Sequence, residues 1–246
     1  MYNQLHVTAI IPALNEQEAI GQVVSALIAQ QGNHGQPIID QIIVADNGSI
    51  DLTATLANVA GANVVFEPKR GYGAACLAAI NSIVATDVVL FIDGDCSVQV
   101  SQIILLLDPV SNGADIAIGS RCLGYIQPGS MSLPQRIGNG LIARIISLLW
   151  QAQVTDIGPF RAIRYSALQE LAMQDRAYGW TVKMQVKALQ QGLIVREIPV
   201  DCLVRVGRSK VSGTVRGVVG AAFGMFGMIV RLWWQGRQAD KASLPI

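Results

Sequence analysis

Asp93-Gly94-Asp95 follows directly on the apolar run Val88-Val89-Leu90-Phe91-Ile92. Two carboxylates one residue apart at the carboxyl end of a strand suit Mg²⁺ or Mn²⁺, hard octahedral cations that seek oxygen and can take diphosphate oxygens at the same time. Such an ion acts as a Lewis acid on a leaving phosphate. The same three residues also suit an ordinary turn, so their neighbours decide between the two. Ile11-Pro12-Ala13-Leu14-Asn15-Glu16 ends a first apolar run, and Asp46-Asn47-Gly48-Ser49 ends a second. Lys69-Arg70-Gly71-Tyr72-Gly73 precedes a small-residue helical segment. Any one of these is a cap or a turn. Together they lie at the carboxyl ends of strands, on the edge where open α/β sheets bind ligands.

The elements that must carry these loops are legible as alternating patterns. Strands are expected at His6 to Ile11, Ile42 to Ala45, Asn63 to Glu67, Val88 to Ile92 and Ala114 to Ile118. Helices are expected at Glu16 to Gln30, Ser49 to Ala60 (with Ser49 as its cap), Gly73 to Ala85 and Ser101 to Val110. The strands are continuously apolar, as when helices cover both faces of a parallel sheet. This predicts an α/β fold, doubly wound around a mostly parallel sheet. Residues 124–140 are rich in Gly, Pro and Ser and read as a loop beside the site. Helices follow at Leu141 to Trp150, Tyr165 to Met173 and Trp180 to Gln191, the last closed by Gly192. Thr155 to Arg161 reads as irregular. Ile194 to Val204 is extended and interrupted by Pro199, which places it at a sheet edge.

Bulk composition narrows the function classes. The chain has 246 residues, 51% hydrophobic and only 14% charged, with a net charge of +1. Its mean hydropathy of +0.41 implies that some apolar surface meets a membrane or a partner. No basic run with interleaved aromatics points to nucleic acid. Cys76, Cys96, Cys122 and Cys202 are too scattered for a zinc framework or a disulfide scaffold. The first residues have no basic segment followed by a long apolar stretch, and a reducing, cytoplasmic location is expected. No GxGxxG follows the first strand, which argues against a dinucleotide oxidoreductase. A nucleotidyltransferase would carry a Gly-rich loop where this chain has Pro12-Ala13-Leu14-Asn15-Glu16.

The organisation divides at residue 212, with a catalytic domain over 1–212 and a basic, apolar tail over 213–246. Between Cys202 and Ala239 there is no acidic residue, whereas Arg205, Arg208, Lys210, Arg216, Arg231 and Arg237 are basic. Gly217 to Val230 is uncharged but, at 14 residues, shorter than the roughly 20 needed to span a bilayer. An amphipathic interfacial helix with Trp233 and Trp234 at its end fits this pattern, as does a helix packed on the domain. Either could also form a homodimer contact.

In their order, Ile11 to Glu16, Val44 to Ser49, Lys69 to Ala75, Phe91 to Asp95, Ile118 to Arg121, Gly158 to Ile163, Tyr178 to Ala188, Arg196 to Val200 and Arg205 to Gly213 resemble the family 2 glycosyltransferases. The likeness is greatest to the branch holding dolichol-phosphate mannosyltransferase and bacterial polyprenyl-phosphate glycosyltransferases, and covers about residues 6–215. It implies a GT-A fold and the metal-assisted, inverting transfer of a hexose from a UDP- or GDP-sugar to a polyprenyl or dolichyl phosphate at the cytoplasmic membrane face. It further implies that Pro12, Ala13, Glu16, Asp46, Lys69, Gly73 and Asp93 bind the nucleotide and that Asp93 and Asp95 hold Mg²⁺ or Mn²⁺. Arg121, Arg136, Arg205, Arg208 and Lys210 would bind the diphosphate or the acceptor phosphate. Asp95, Arg121 and Asp156 would form the catalytic set. Ser97 falls where relatives carry a Gln ligand, which implies coordination through water. Asn47 replaces the second Asp of the family's DDGS, and Lys183 stands where relatives often carry Glu. A hydroxyl acceptor would need a base, for which Asp156 is the candidate, although Asp156 also suits a cap before Gly158. A nucleotide-binding scaffold without catalysis is the remaining alternative.

Overall fold

The computed structural model describes residues 1–32, 35–177, 179–207 and 226–234. Seven strands form one sheet in the order β3-β2-β1-β4-β6-β5-β7. They are β1 Val7–Ala13, β2 Gln41–Asp46, β3 Asn63–Phe66, β4 Val88–Phe91, β5 Ile116–Ser120, β6 Arg161–Arg164 and β7 Val195–Pro199. All neighbours are parallel except β6, which runs antiparallel to both β4 and β5. The sheet is therefore mostly parallel, as expected, and β7 lies at its edge.

Successive side chains of a strand take opposite faces, so the apolar runs fill two cores. Val7, Ala9 and Ile11 of β1 pack with α1 (Ile20–Ile28), α2 (Thr53–Val59) and α4 (Ile103–Ser111). Ile10, Ile43, Val89 and Phe91 face α3 (Tyr72–Asn81), α6 (Tyr165–Glu170) and α7 (Trp180–Gln190). Trp180 sets its ring edge-on to Phe91 with centroids 6.2 Å apart. A third cluster joins Ile142 and Ile146 of α5 (Leu133–Trp150), Val182 and Val186 of α7, and Ile229 and Leu232 from the helical residues 226–234. All four cysteines are free.

Three local expectations are corrected. Residues 133–140 are helical rather than loop, because Ser132 and Gln135 form a reciprocal capping box and Pro134 suits the first turn. The stretch expected to be irregular ends in β6, which fills the gap between β4 and β5. Helix α2 starts at Thr53 without a side-chain cap. The Ser49 hydroxyl instead accepts the Asn15 N–H at 2.9 Å, joining the first two strand-end loops.

The start of α3 is clamped by the segment before α7. Gly73 and Ala74 donate their N–H groups to the carbonyls of Ala177 (3.2 Å) and Arg176 (3.1 Å). A Cβ on Gly73 would stand 2.0 Å from the Asp175 carbonyl oxygen. Gly73 is thus required by close backbone approach. Gly73→Ala is expected to cost about 1–3 kcal/mol by forcing the two backbones apart, read as a lower urea midpoint at unchanged slope.

Candidate active site

The chain runs outward from β1 to β2 and β3, then returns to place β4 on the other side of β1. The strand order reverses between β1 and β4, and a crevice opens at their carboxyl ends. Asp93-Gly94-Asp95 forms one lip. A Cβ on Gly94 would come within 3.0 Å of Ile20 and 3.2 Å of Ile11, so the turn packs closely against β1 and α1. The Asp95 carboxylate is buried. One of its oxygens accepts the Ser97 N–H at 3.0 Å, and the other pairs with the Arg205 guanidinium at 2.8 Å.

Asp93 accepts the Tyr72 hydroxyl at 3.3 Å. Burial and then the Asp95 charge push the Asp93 carboxyl up to about 7, while Arg205, Tyr72 and Arg121 pull it down. Burial and Asp93 together raise the Tyr72 hydroxyl well above its ordinary value. Two close carboxylates, too weakly compensated for both to ionise easily, fit a hard divalent cation. Among the described residues no group of three or more His, Cys, Asp or Glu gathers around a common point. Asp93 and Asp95 would therefore hold such an ion together with oxygens from ligand or water.

Arg205 is delivered by a strap zipped to the same turn. Leu203 donates to the Ser97 carbonyl and Val206 to the Asp95 carbonyl, each at 2.8 Å, and Cys202 bridges Val98. The Ser97 backbone thus orders the turn and holds the strap. Arg208 and Lys210 lie outside the described residues.

The other lip comes from β1 and β2. Pro12 and Ala13 end β1, and Asp46 ends β2, where its carboxylate accepts the Ser49 N–H at 3.1 Å. Glu16 is held by its backbone N–H, which donates to the Thr53 hydroxyl at 2.8 Å. Asn47 staples the third loop: its amide nitrogen donates to the carbonyls of Glu67 (3.1 Å) and Lys69 (2.8 Å), and its oxygen accepts the Gly71 N–H at 2.7 Å. An ionised Asp has no donor for those carbonyls, which accounts for the amide. Lys69 is exposed on the rim, whereas Gly73 is turned against Asp175.

Toward β5 the chemistry changes. Asp156 is fully buried. Its two oxygens take a forked pair of bonds from Arg121, at 2.8 and 2.7 Å, and one of them also accepts the Arg121 backbone N–H at 2.7 Å. Burial raises the Asp156 carboxyl, but Arg121 outweighs it and holds the group below its ordinary range. Arg136 is exposed on the first turn of α5, and Lys183 is half-buried on α7.

Beneath this pair lies a polar layer that no short motif announces. Glu197 of β7 accepts the Thr155 hydroxyl at 2.6 Å and the Thr155 N–H at 2.9 Å. Arg161 of β6 is buried and donates to the Gly158 carbonyl (2.7 Å), the Thr181 carbonyl (2.8 Å) and the Gln185 side chain (3.1 Å). Burial lowers the Arg161 guanidinium to about 10. Tyr72 was within the sequence motif around Gly71 and Gly73, but its bond to Asp93 depends on the fold.

Residues 8–172 match the sequence profile of the family described as Glycosyl transferase family 2. An uncharacterized glycosyltransferase of Mycobacterium tuberculosis is 34% identical over 216 residues, covering 87% of this chain and 93% of that protein. A dolichyl-phosphate hexose transferase of Haloferax volcanii is 28% identical over 206 residues, covering 82% of this chain and 84% of the relative. Among solved structures, glucosyl-3-phosphoglycerate synthase from M. tuberculosis, in complex with Mn²⁺, UDP and glucosyl-3-phosphoglycerate, superposes with a TM-score of 0.74. It is 19% identical, with 93% of this chain and 80% of that one covered. That likeness shows the fold, which is of the expected GT-A type.

The Arg121–Asp156 pair yields a test with a definite sign. Because the folded state depresses the Asp156 carboxyl, the pair's contribution is complete above the unfolded value near 4 and is lost as pH falls through the depressed value. Asp156→Asn leaves Arg121 uncompensated and is expected to cost about 3–5 kcal/mol at pH 7. Urea unfolding between pH 7 and pH 3 should show the variant's deficit shrinking toward the acid end.

Proposed function

The chain belongs to glycosyl transferase family 2, and from that premise we propose that it moves a hexose from a UDP- or GDP-linked sugar to a polyprenyl phosphate. The observation that carries this choice of acceptor is the state of Asp156. A hydroxyl acceptor needs a carboxylate free to take its proton, and the candidate is buried with both oxygens on Arg121. A phosphate monoester is already largely anionic near neutral pH. It needs positioning and charge compensation, with no base.

In this mechanism the acceptor phosphate oxygen attacks the anomeric carbon. A carbon–oxygen bond to the acceptor forms as the bond to the nucleoside diphosphate breaks, and the electron pair leaves with the diphosphate. Attack opposite the leaving group inverts the anomeric centre. A divalent cation bound by Asp93 and Asp95 would supply Lewis acidity toward the leaving diphosphate. Pro12, Ala13, Glu16 and Asp46 border the nucleoside end of the crevice, with Lys69 at its rim. Arg205, held beside Asp95, and Arg121 place fixed positive charge where the two phosphate groups meet. Arg136, and Arg208 and Lys210 from outside the described residues, would add positive charge for the phosphate groups on this reading.

Two further observations support the lipid-linked acceptor. One relative carries the name dolichyl-phosphate hexose transferase. In residues 226–234, Phe226, Val230 and Trp234 are exposed at four-residue spacing, with Arg231 beside them. Such a face suits peripheral attachment at a membrane surface on the cytoplasmic side. Among the described residues no helix is long and apolar enough to cross a membrane.

Thermal unfolding with UDP or GDP, each with Mn²⁺, Mg²⁺ or EDTA, tests the donor half. The matching nucleotide at a hundred times its Kd should add about 2.7 kcal/mol, with metal only, and Asp95→Asn should abolish the effect. Labelled nucleotide sugar incubated with polyprenyl phosphate tests the acceptor half. Label in the organic phase is expected, and transfer confined to water-soluble hydroxyl acceptors would overturn the assignment.

A further inference from the structure

A groove of about 420 Å³ runs between α5 and the residues just before Asp156. Gly140, Ala143, Ser147 and Leu148 form its helical wall, and Val154 and Thr155 the opposite one. Its polar backbone groups are already engaged. The Ser147 hydroxyl accepts the Val154 N–H at 3.1 Å and lies 3.0 Å from the Ala143 carbonyl, so it ties the two walls together. The Thr155 hydroxyl is taken by Glu197. What remains for an occupant is mainly hydrocarbon, with Arg144 at the lip.

The two ends of the groove differ in kind. Thr155 adjoins Asp156, whose partner Arg121 lies close enough to Asp93 to influence its charge. Asn139, next to Gly140, accepts the Ile157 N–H at 3.2 Å, so this end lies beside the loop that carries Arg121's partner Asp156. At the other side α5 exposes Leu133, Ile137, Leu141 and Leu148, while Ile142, Ala143 and Ile146 are buried. Helix α5 carries Arg136 and Arg144 and no carboxylate. A ligand that matches this order has an anionic head followed by a hydrocarbon chain.

We propose that this groove seats the first isoprene units of the acceptor, with the phosphate directed toward Arg121 and the rest of the chain leaving past Arg144 and Leu148. The proposal rests on the polyprenyl phosphate reading of the acceptor. It assigns α5 a role in selecting chain length, separate from the donor crevice. Gly140 gives the means of testing it, because a Cβ there meets nothing within 4 Å. A larger side chain can enter the groove without moving the backbone, and leucine favours the helix over glycine.

The experiment compares dimethylallyl phosphate with farnesyl phosphate as acceptors for the wild type, Gly140→Leu and Leu148→Glu. The metal-dependent nucleotide shift serves as the check that each variant is folded. Wild type should show a lower KM for farnesyl phosphate, since each buried methylene adds to binding. Both variants should raise the farnesyl KM by about tenfold or more, raise the dimethylallyl KM by less, since one isoprene unit fills less of the groove, and keep the nucleotide shift. Variants that match wild type on both acceptors would overturn the groove while leaving the acceptor class intact. Failure of the wild type to use either phosphate, or longer polyprenyl phosphates, would overturn the acceptor reading itself.

Discussion

Two carboxylates confined to one buried turn repel each other, and the region around β4 is organised by how that repulsion is met. Asp95 accepts from a guanidinium and a backbone N–H, while Asp93, with a phenol as its direct partner, is pushed up to about 7. Desolvation and like charge act in the same direction on Asp93. The strap over residues 202–206 is bonded to the turn at two carbonyls, so Arg205 is presented by a fixed backbone rather than by a free tail. Its position depends on the same peptide groups that shape the turn.

The second constraint is the switch between β1 and β4. Parallel strands require crossovers, and here the crossovers leave in opposite directions from the two central strands. That topology opens the crevice, and the loops are then stapled to one another across it. Asn15 bonds Ser49 and Ile50, Glu16 bonds Thr53, and Asn47 bonds three groups of the loop before α3. Loops of this kind are ordered before a ligand arrives, which lowers the entropy lost on binding.

Continuous apolar runs with polar ends made β1, β2 and β4 legible, and with them the positions of Asp46, Asp93 and Asp95 at one edge. The antiparallel strand β6 was not legible, because Arg161-Ala162-Ile163-Arg164 is short and half arginine. Its place between β4 and β5 comes from pairing on both sides. The start of α5 was hidden by the glycines and Pro134, although Ser132 with Gln135 three residues later is a recognisable capping signal. Asp156 could be read as a base or as a cap because its partner Arg121 is 35 residues away. Gly73 is expected at the nucleotide, and the sequence does not show that a Cβ there would also meet the Asp175 carbonyl. In each case the missing information was a contact between segments distant in sequence.

The polar layer below Arg121 explains how positive charge can be kept rigid so near the crevice. Among the described residues Arg161 donates to neutral acceptors, two carbonyls and the Gln185 amide. Its charge is balanced from further off by Asp156 and Glu197. Even lowered to about 10, the group remains a cation near neutral pH. The three donor contacts bind β6 to the loop at Gly158 and to the first turns of α7, so the loop carrying Asp156 cannot shift without breaking them. Arg121 is then oriented by a carboxylate that is itself immobile. Donors fixed in advance stabilise developing negative charge without reorganising during reaction. On the proposed reading Asp156 serves as a support and not as a base, and the chemistry expected of the site is electrostatic positioning in place of proton removal. On that proposal, an acceptor that arrives already anionic is the substrate for which the arrangement suffices.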